Sequence, residues 1–574
     1  MRRPDQQVGS GVTRRRCGPP VVMLLLAGLV GLAGLAGPAL ATGFVGGVAH
    51  GAVAGASTST GSTYSPPACH RPKPAPVRAT PVAGVPSDWT ITSFDGTKIR
   101  AHWFPAPGAS ASHPEPTVLE GPGWGEAGAT PSTPAILGSV SITGLNNDGY
   151  NVLTWDPRGF GQSTGTIEID SPNYEARDVS KLIDWVSTRP GVQLDAPGDP
   201  RMGMVGGSYG GGIQFVTAAQ DCRIDAIVPE IAWHSLTTSL DKAGTPKSGW
   251  SNLLYSLASP AHLDPHMTSA YRDSLATGTI SAADSRWFAS KGPANLVKKI
   301  RAPTLIIQGT VDNLFTLDEG VTNFKAIQAS GVPVHMIWFC GGHGICLTNP
   351  GDPNYVTDAT VAWLNRWVKR DASVNTGPVV DIIDQNGVRY PASTYPLSSK
   401  RSLSAQGTGT LPLVAAGGSG PVTVASSSSD PVGALASSIT PAKATNAVNV
   451  TIDGGSQASL VVGAPQVTLT YQGTVPAGVA PTRVFAQIVD GSTGLVLGNQ
   501  VTPIDVTLDG KSHATSVPLE IVSQAVAPGQ HLVLQLVATT VAYAQPRLGG
   551  SVTFSAINVT LPVVSGLKPQ QGPH

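Results

Sequence analysis

The sequence predicts an α/β domain with a helical insertion, followed by an all-β domain. Three observations carry that expectation. Between about residues 88 and 374, short apolar runs of strand type alternate with segments of helical period. One such run, Met202-Gly203-Met204-Val205-Gly206, stops at Gly206-Gly207-Ser208-Tyr209-Gly210, a Gly-x-Ser-x-Gly segment. Such a segment forces a sharp strand-to-helix turn with the serine hydroxyl at its tip. Beyond about Asn375 helical periodicity lapses, and β-type runs are separated by Gly, Pro and Ser turns.

The chain opens with Arg2, Arg3 and Arg14 to Arg16, then an apolar stretch from Val21 to Gly37 closed by Pro38-Ala39-Leu40-Ala41. Residues 1–41 therefore read as a signal peptide, with an uncleaved membrane anchor as the alternative, since apolar residues continue past Ala41. Thr13-Arg14-Arg15-Arg16 faintly resembles a twin-arginine signal. Residues 42–82 are rich in Gly, Ser, Thr, Ala and Pro and are expected to be a disordered leader.

The α/β domain is expected over 83–374. Trp89 to Thr92 and Ile99 to Trp103 alternate around Asp95-Gly96 and read as a hairpin. Thr117 to Leu119 is a strand ending at Gly121-Pro122-Gly123-Trp124-Gly125. Tyr150 to Trp155 is a strand ending at Asp156-Pro157-Arg158. Val179, Leu182, Ile183 and Val186 recur at helical spacing before the Gly-x-Ser-x-Gly strand. From about 234 to 293 the alternation lapses into helix-like sequence, placed like a cap over a pocket. Strands resume at Thr304 to Gln308 and Val334 to Phe339, and Val361, Leu364, Trp367 and Val368 mark a closing helix. Residues 375–574 read as a β-sandwich of jelly-roll type.

Bulk charge excludes some functions. Lys plus Arg and Asp plus Glu are equal at 36 each, so no nucleic-acid partner is indicated. Of five cysteines, Cys17 leaves with the signal, and Cys69, Cys222, Cys340 and Cys346 remain for an oxidising compartment. Three pairings are possible. Local spacing favours Cys340 with Cys346, leaving Cys69 with Cys222, and four free thiols are the alternative. His262-Leu263-Asp264-Pro265-His266 lacks a third ligand, so neither a metal nor a cofactor is implied.

Serine is a poor nucleophile until an adjacent base, itself held by a carboxylate, takes its proton. Asp312 follows the strand Thr304 to Gln308, and His343 follows the strand ending at Phe339. The chain order Ser208, Asp312, His343 is that of an α/β-hydrolase. Asp318 and Glu319 are rival acids that sit later, in the following helix. For the developing oxyanion, the backbone N–H of Tyr209 supplies one donor, and Trp124 in the Gly121 to Gly125 loop is the candidate for the second. Asp156 and Arg158 read as ties between loops rather than as catalytic groups.

These residues resemble a known family. Asp156-Pro157-Arg158-Gly159-Phe160-Gly161-Gln162-Ser163 is similar to the Asp-x-Arg-Gly-x-Gly-x-Ser turn of the X-Pro dipeptidyl-peptidase (S15) and cocaine-esterase-like hydrolases. Leu182-Ile183-Asp184-Trp185, the Gly206 to Gly210 elbow, and the tail segments Val462 to Leu469 and Val484 to Asp490 also look like that family. The resemblance implies an α/β-hydrolase fold with a helical cap and a C-terminal jelly roll. It also implies Ser208 as nucleophile, His343 as base and Asp312 as its partner. Family members often carry a Tyr in the oxyanion loop. The stretch Gly121 to Gly125 has none, which favours backbone donors.

The expectation is a secreted serine hydrolase acting on small esters, amides or short peptides through an acyl-enzyme, with no stable membrane insertion after signal removal. An acyl esterase is preferred to an X-Pro dipeptidyl-peptidase. A non-catalytic extracellular binding protein on a hydrolase scaffold is the third reading.

Overall fold

An eleven-stranded mixed sheet organises the α/β part of the chain. The computed structural model describes residues 64, 67–69, 76–133, 138, 140–423, 431–476 and 481–570. The expected signal peptide, 1–41, lies outside the described residues. The sheet begins with β1 (Ala79–Pro81), β2 (Asp88–Thr92), β3 (Lys98–Phe104), β4 (Thr117–Glu120) and β5 (Asn151–Trp155). A small ribbon, β6 (Leu194–Ala196) and β7 (Asp199–Pro200), precedes β8 (Met202–Gly207) and β9 (Ala226–Glu230). A second ribbon, β10 (Asp241–Lys242) and β11 (Thr245–Pro246), lies in the insertion. The sheet then resumes with β12 (Thr304–Gly309), β13 (Val334–Phe339), β14 (Val380–Ile383) and β15 (Arg389–Ala392). Spatial order is β1-β2-β3-β5-β4-β8-β9-β12-β13-β14-β15. The strands from β5 to β14 pair in parallel, and antiparallel strands close both edges.

The parallel strands read as continuous apolar runs because both faces are covered. Leu119, Leu153, Met204, Ile227, Ile306 and Met336 face one core. The alternate residues Val118, Val152, Val205, Val228, Ile307 and Ile337 face another. The helices α1 (Ile142–Asn147), α2 (Glu175–Val186) and α3 (Tyr209–Ala218) follow their strands, and α3, directly after β8, is buried on every side.

The insertion forms α4 (Leu236–Leu240), α5 (Ser248–Ala258), α6 (Pro265–Thr277) and α7 (Ala282–Ala289). The suspected histidine pair is explained here. Asp264 caps α6 by accepting from His266 N at 2.9 Å, Pro265 starts the helix, and His266 Nδ1 pairs with Asp284 at 2.7 Å. Helices α8 (Leu317–Ala329) and α9 (Tyr355–Trp367) complete the layers.

Two sequence boundaries need correction. The stretch expected to be a disordered leader ends in β1, which pairs with β2 from Ala79↔Ile91 to Pro81↔Trp89. A short edge strand needs no core of its own, and proline is tolerated at an edge. The Cys69–Cys222 disulfide and a hydrogen bond from Tyr64 Oη to the Arg301 carbonyl (2.6 Å) tie this region to the domain. At the other end, β14 and β15 lie beyond residue 374 yet extend the central sheet. The turn residues before Val380 marked a bend in the chain, not the end of the sheet.

The rest is two antiparallel sheets. One holds β16 (Ser399–Pro412), β18 (Ser459–Gly463), β19 (Gln466–Thr474), β22 (His513–Pro518), β23 (Val522–Val526) and β25 (Ser551–Val564). The other holds β17 (Ala447–Asp453), β20 (Arg483–Asp490), β21 (Thr502–Asp505) and β24 (His531–Val537). Val448, Val450 and Ile452 face Val467, Leu469 and Tyr471 in one core, the period-2 pattern of packed sheets. One helix, α10 (Pro431–Ser438), interrupts a region expected to be all β.

Candidate active site

Ser208 sits between β8 and α3 with φ 56° and ψ −115°, backbone angles a serine rarely adopts. Glycine neighbours make the turn possible. A Cβ on Gly206 would stand 2.5 Å from the Gly121 carbonyl oxygen, and one on Gly210 would stand 2.1 Å from it. The absence of both lets the loop after β4 run directly beside the serine.

The three sequence candidates are brought together. Ser208 Oγ is 2.7 Å from His343 Nε2, and His343 Nδ1 is 2.7 Å from Asp312 Oδ2. The Asp312 side chain is fully buried and completely occupied. Its Oδ2 also accepts from His343 N at 3.2 Å, and its Oδ1 accepts from the N–H groups of Leu314 (3.0 Å) and Phe315 (2.8 Å). Four donors thus converge on this one carboxylate. His343 is boxed edge-on by Trp250 and Phe315, at centroid separations of 5.7 and 5.1 Å. Gly342, at φ 107°, passes over Asp312, where a Cβ would meet the aspartate's own Cβ at 2.7 Å. Cys340 and Cys346 are disulfide-bonded with Cα atoms 5.5 Å apart, closing the loop that carries His343.

The rival acids are engaged elsewhere. Glu319 accepts from the N–H groups of His234 (2.7 Å) and Ser235 (2.9 Å) and from Thr238 Oγ1 (2.7 Å) at the root of the cap. Asp318 faces Lys242 at 3.8 Å. Asp156 accepts from Gly128 N (2.8 Å) and Gln162 N (2.7 Å), and Arg158 binds Asp178 and Asp95, so both tie loops as expected.

Trp124 donates its indole N–H to the Leu254 carbonyl at 2.9 Å, pinning the loop after β4 to α5. Its ring packs edge-on against Phe160 and Tyr209. Among the described residues, the backbone N–H groups of Trp124 and Tyr209 have no hydrogen-bond acceptor. The Tyr209 hydroxyl points away, accepting from Asp170 N at 3.3 Å, and burial together with the nearby Glu175 and Asp170 raises it far above a phenol's usual range. Glu120, just before the same loop, is pushed up to about 7 by burial.

Above Ser208 opens an apolar cavity under the cap, lined by Trp124, Trp233, Leu254, Met267, Phe288 and Phe315 among others. Asp241 is a carboxylate on its wall, raised to about 6 by burial. Sequence reasoning missed Trp250, in the cap, and Phe315, three residues past Asp312, as walls of the histidine, because neither carries a local mark of what it covers. No group of side chains suited to a metal ion occurs among the described residues.

Residues 95–344 match the family model of the X-Pro dipeptidyl-peptidase (S15 family). Over that stretch the chain is similar to this family. That similarity is to a family of serine hydrolases. Dipeptidyl aminopeptidase BIII of Pseudoxanthomonas mexicana is 27% identical over 212 residues, covering 35% of this chain and 27% of that protein. The chain spans 27% to 28% of the length of the curated relatives it matches. Two solved structures share the fold at 14% identity. A CocE/NonD family hydrolase from Staphylococcus aureus has TM-score 0.57, covering 83% of this chain and 93% of its own. An alpha-amino acid ester hydrolase has TM-score 0.63, covering 84% and 98%. The S15-family match ends at residue 344, one residue past His343, so it takes in all three candidate residues.

Proposed function

We propose that this chain is an extracytoplasmic acyl esterase that works through a Ser208–His343–Asp312 triad and a covalent acyl-enzyme. The observation that carries the reading is the continuous hydrogen-bonded line from Ser208 Oγ through both ring nitrogens of His343 to Asp312, at the mouth of an apolar cavity. Ser208 Oγ attacks the ester carbonyl while His343 Nε2 takes its proton. Asp312 holds the Nδ1–H tautomer and stabilises the imidazolium that forms. The oxyanion meets the N–H groups of Tyr209 and Trp124, the first of them at the start of α3, where the helix field favours negative charge. His343 then returns the proton to the leaving alkoxide, and water repeats the sequence to release the acid.

The mostly apolar lining under the cap, with the Asp241 carboxylate as its one charged side chain, supports an acyl group as the part bound there. The two disulfides and the arginine-rich apolar start support export to an oxidising compartment. No helix among the described residues is long and apolar enough to cross a membrane.

Ser208→Ala should abolish turnover and fluorophosphonate labelling in a folded protein, a loss on the order of 10⁶ in rate. A panel of p-nitrophenyl esters beside Ala-Pro and Gly-Pro p-nitroanilides separates the activities. Faster cleavage of the anilides would make the chain a peptidase, and labelling retained in Ser208→Ala would remove the nucleophile assignment.

A further inference from the structure

Asp312 and His343 both sit on loops beyond their strands, and one turn of the C-terminal β-sandwich touches both loops. That turn is a short 3₁₀ segment, Leu497–Asn499, followed by Gln500. Gln500 Nε2 donates to the Asp312 carbonyl oxygen at 2.8 Å, across 188 residues of sequence. Asn499 Nδ2 donates to the Ile345 carbonyl oxygen at 2.8 Å, inside the disulfide-closed loop of the base. Gly498 lies against the backbone of the acid loop, where a Cβ would stand 2.7 Å from the Thr310 carbonyl oxygen. Both amide side chains are buried, at 6% and 3% exposure, so water does not compete for these bonds. Gly498 and Asn499 are left-handed in succession, at φ 60° and 55°. The turn thus spends an unfavourable conformation on delivering two adjacent amides to two separate loops.

We propose that Asn499 and Gln500 are positioning residues for the triad, Gln500 setting the acid and Asn499 setting the base loop. The inference rests on the triad reading above. It gives the β-sandwich a part in turnover, since the hydrolase domain supplies the acid and base but not all of the bonds that hold their loops. A carbonyl fixed at Asp312 fixes the Cα from which the short carboxylate side chain projects. A displacement of about 1 Å in such a group costs on the order of 100-fold in rate.

The test uses the full chain and three single variants. Gln500→Met keeps the volume and loses the donor. Asn499→Asp keeps a residue that tolerates the left-handed turn and loses its donor. Gln385→Met is the control, because Gln385 makes two 2.8 Å hydrogen bonds with Ala525 across the same domain boundary without touching either loop. The expected result is that Gln500→Met and Asn499→Asp lower kcat roughly 10- to 100-fold with KM within about twofold. The acid limb of the kcat–pH profile should move to lower pH, since a base less well aligned with its carboxylate is less basic. Gln385→Met should lower the unfolding temperature and leave kcat and the pH limb in place. If Gln500→Met does not fold, Asn499→Asp is read in the same way. Equal kcat losses in Gln385→Met, or unchanged kcat and pH limb in the two turn variants, would overturn the proposal. Ser208→Ala keeps the two readings apart. Turnover retained there would mean that the triad reading fails, whereas a dead Ser208→Ala beside intact turn variants would sink the positioning role alone.

Discussion

Asp312→Asn conflicts with the site in either orientation of the amide. With its oxygen left toward Leu314 and Phe315, the two N–H groups at 3.0 and 2.8 Å keep their acceptor, but the new NH₂ faces His343 Nδ1. His343 must then accept at Nδ1, which places its proton on Nε2, and a protonated neutral Nε2 cannot take the proton of Ser208. With the amide reversed, His343 keeps its partner, but NH₂ is forced against two backbone N–H groups in a fully buried place. The first orientation gives the wrong tautomer, which costs about 10⁴ in kcat in a comparable triad, or about 5–6 kcal/mol of transition-state stabilisation. Asp318→Asn is the matched control. Asp318 faces Lys242 at 3.8 Å and makes no hydrogen bond to Ser208 or His343. Its substitution should change kcat by less than about threefold. The assay is p-nitrophenyl ester hydrolysis, with circular dichroism to check folding. A loss below about 100-fold in Asp312→Asn, or equal losses in the two variants, would refute the assignment of the acid.

Two further outcomes are expected. Cys340→Ser/Cys346→Ser opens the seven-residue loop around His343, a cross-link worth roughly 2–3 kcal/mol by chain entropy, and should lower kcat more than it raises KM, because the base acts in the transition state. Equal effects on both constants would show that the disulfide serves binding instead. Glu120→Gln should flatten the pH dependence of stability. The folded carboxyl at about 7, against 4.5 unfolded, binds extra protons between those values, so its contribution is full below 4.5 and lost as pH rises through 7. That is at most about 3 kcal/mol. Melting curves at about pH 5 and about pH 8 should show the glutamine variant gaining on the parent only at the higher pH; a constant difference would mean that Glu120 does not titrate there.

How far the sequence reveals this protein depends on how local each device is. The nucleophile turn is entirely local: an apolar strand, then glycines where Gly121 passes within 2.1 Å of a Cβ position. Asp312 and His343 are legible because each follows a strand whose apolar run is unmistakable, and a parallel sheet gathers its strand ends along one edge. The family resemblance could be read for the same reason, since its motifs are these strand-end turns. Boundaries were less legible. Composition marks where a chain bends, and both the β1 edge strand and the β14–β15 extension bend without leaving the sheet.

The cap and the remote turn were the hardest to read, and the reason is physical. A helix such as α5 shows which face is apolar but not that Trp250 will lie 5.7 Å from a histidine almost a hundred residues later. Asn499 and Gln500 carry no signal in a β-rich stretch full of turns. Yet the loops that bear the acid and base are glycine-rich around His343, where chain flexibility is greatest. Such loops need bonds from outside themselves to hold a hydrogen-bond line at 2.7 Å, and those bonds come from whichever element the fold brings alongside. The residues proposed to carry the chemistry are therefore written where a strand ends. Those that bond to their loops, Asn499 and Gln500, are written where the tertiary structure happens to pass, and only the three-dimensional arrangement reveals them.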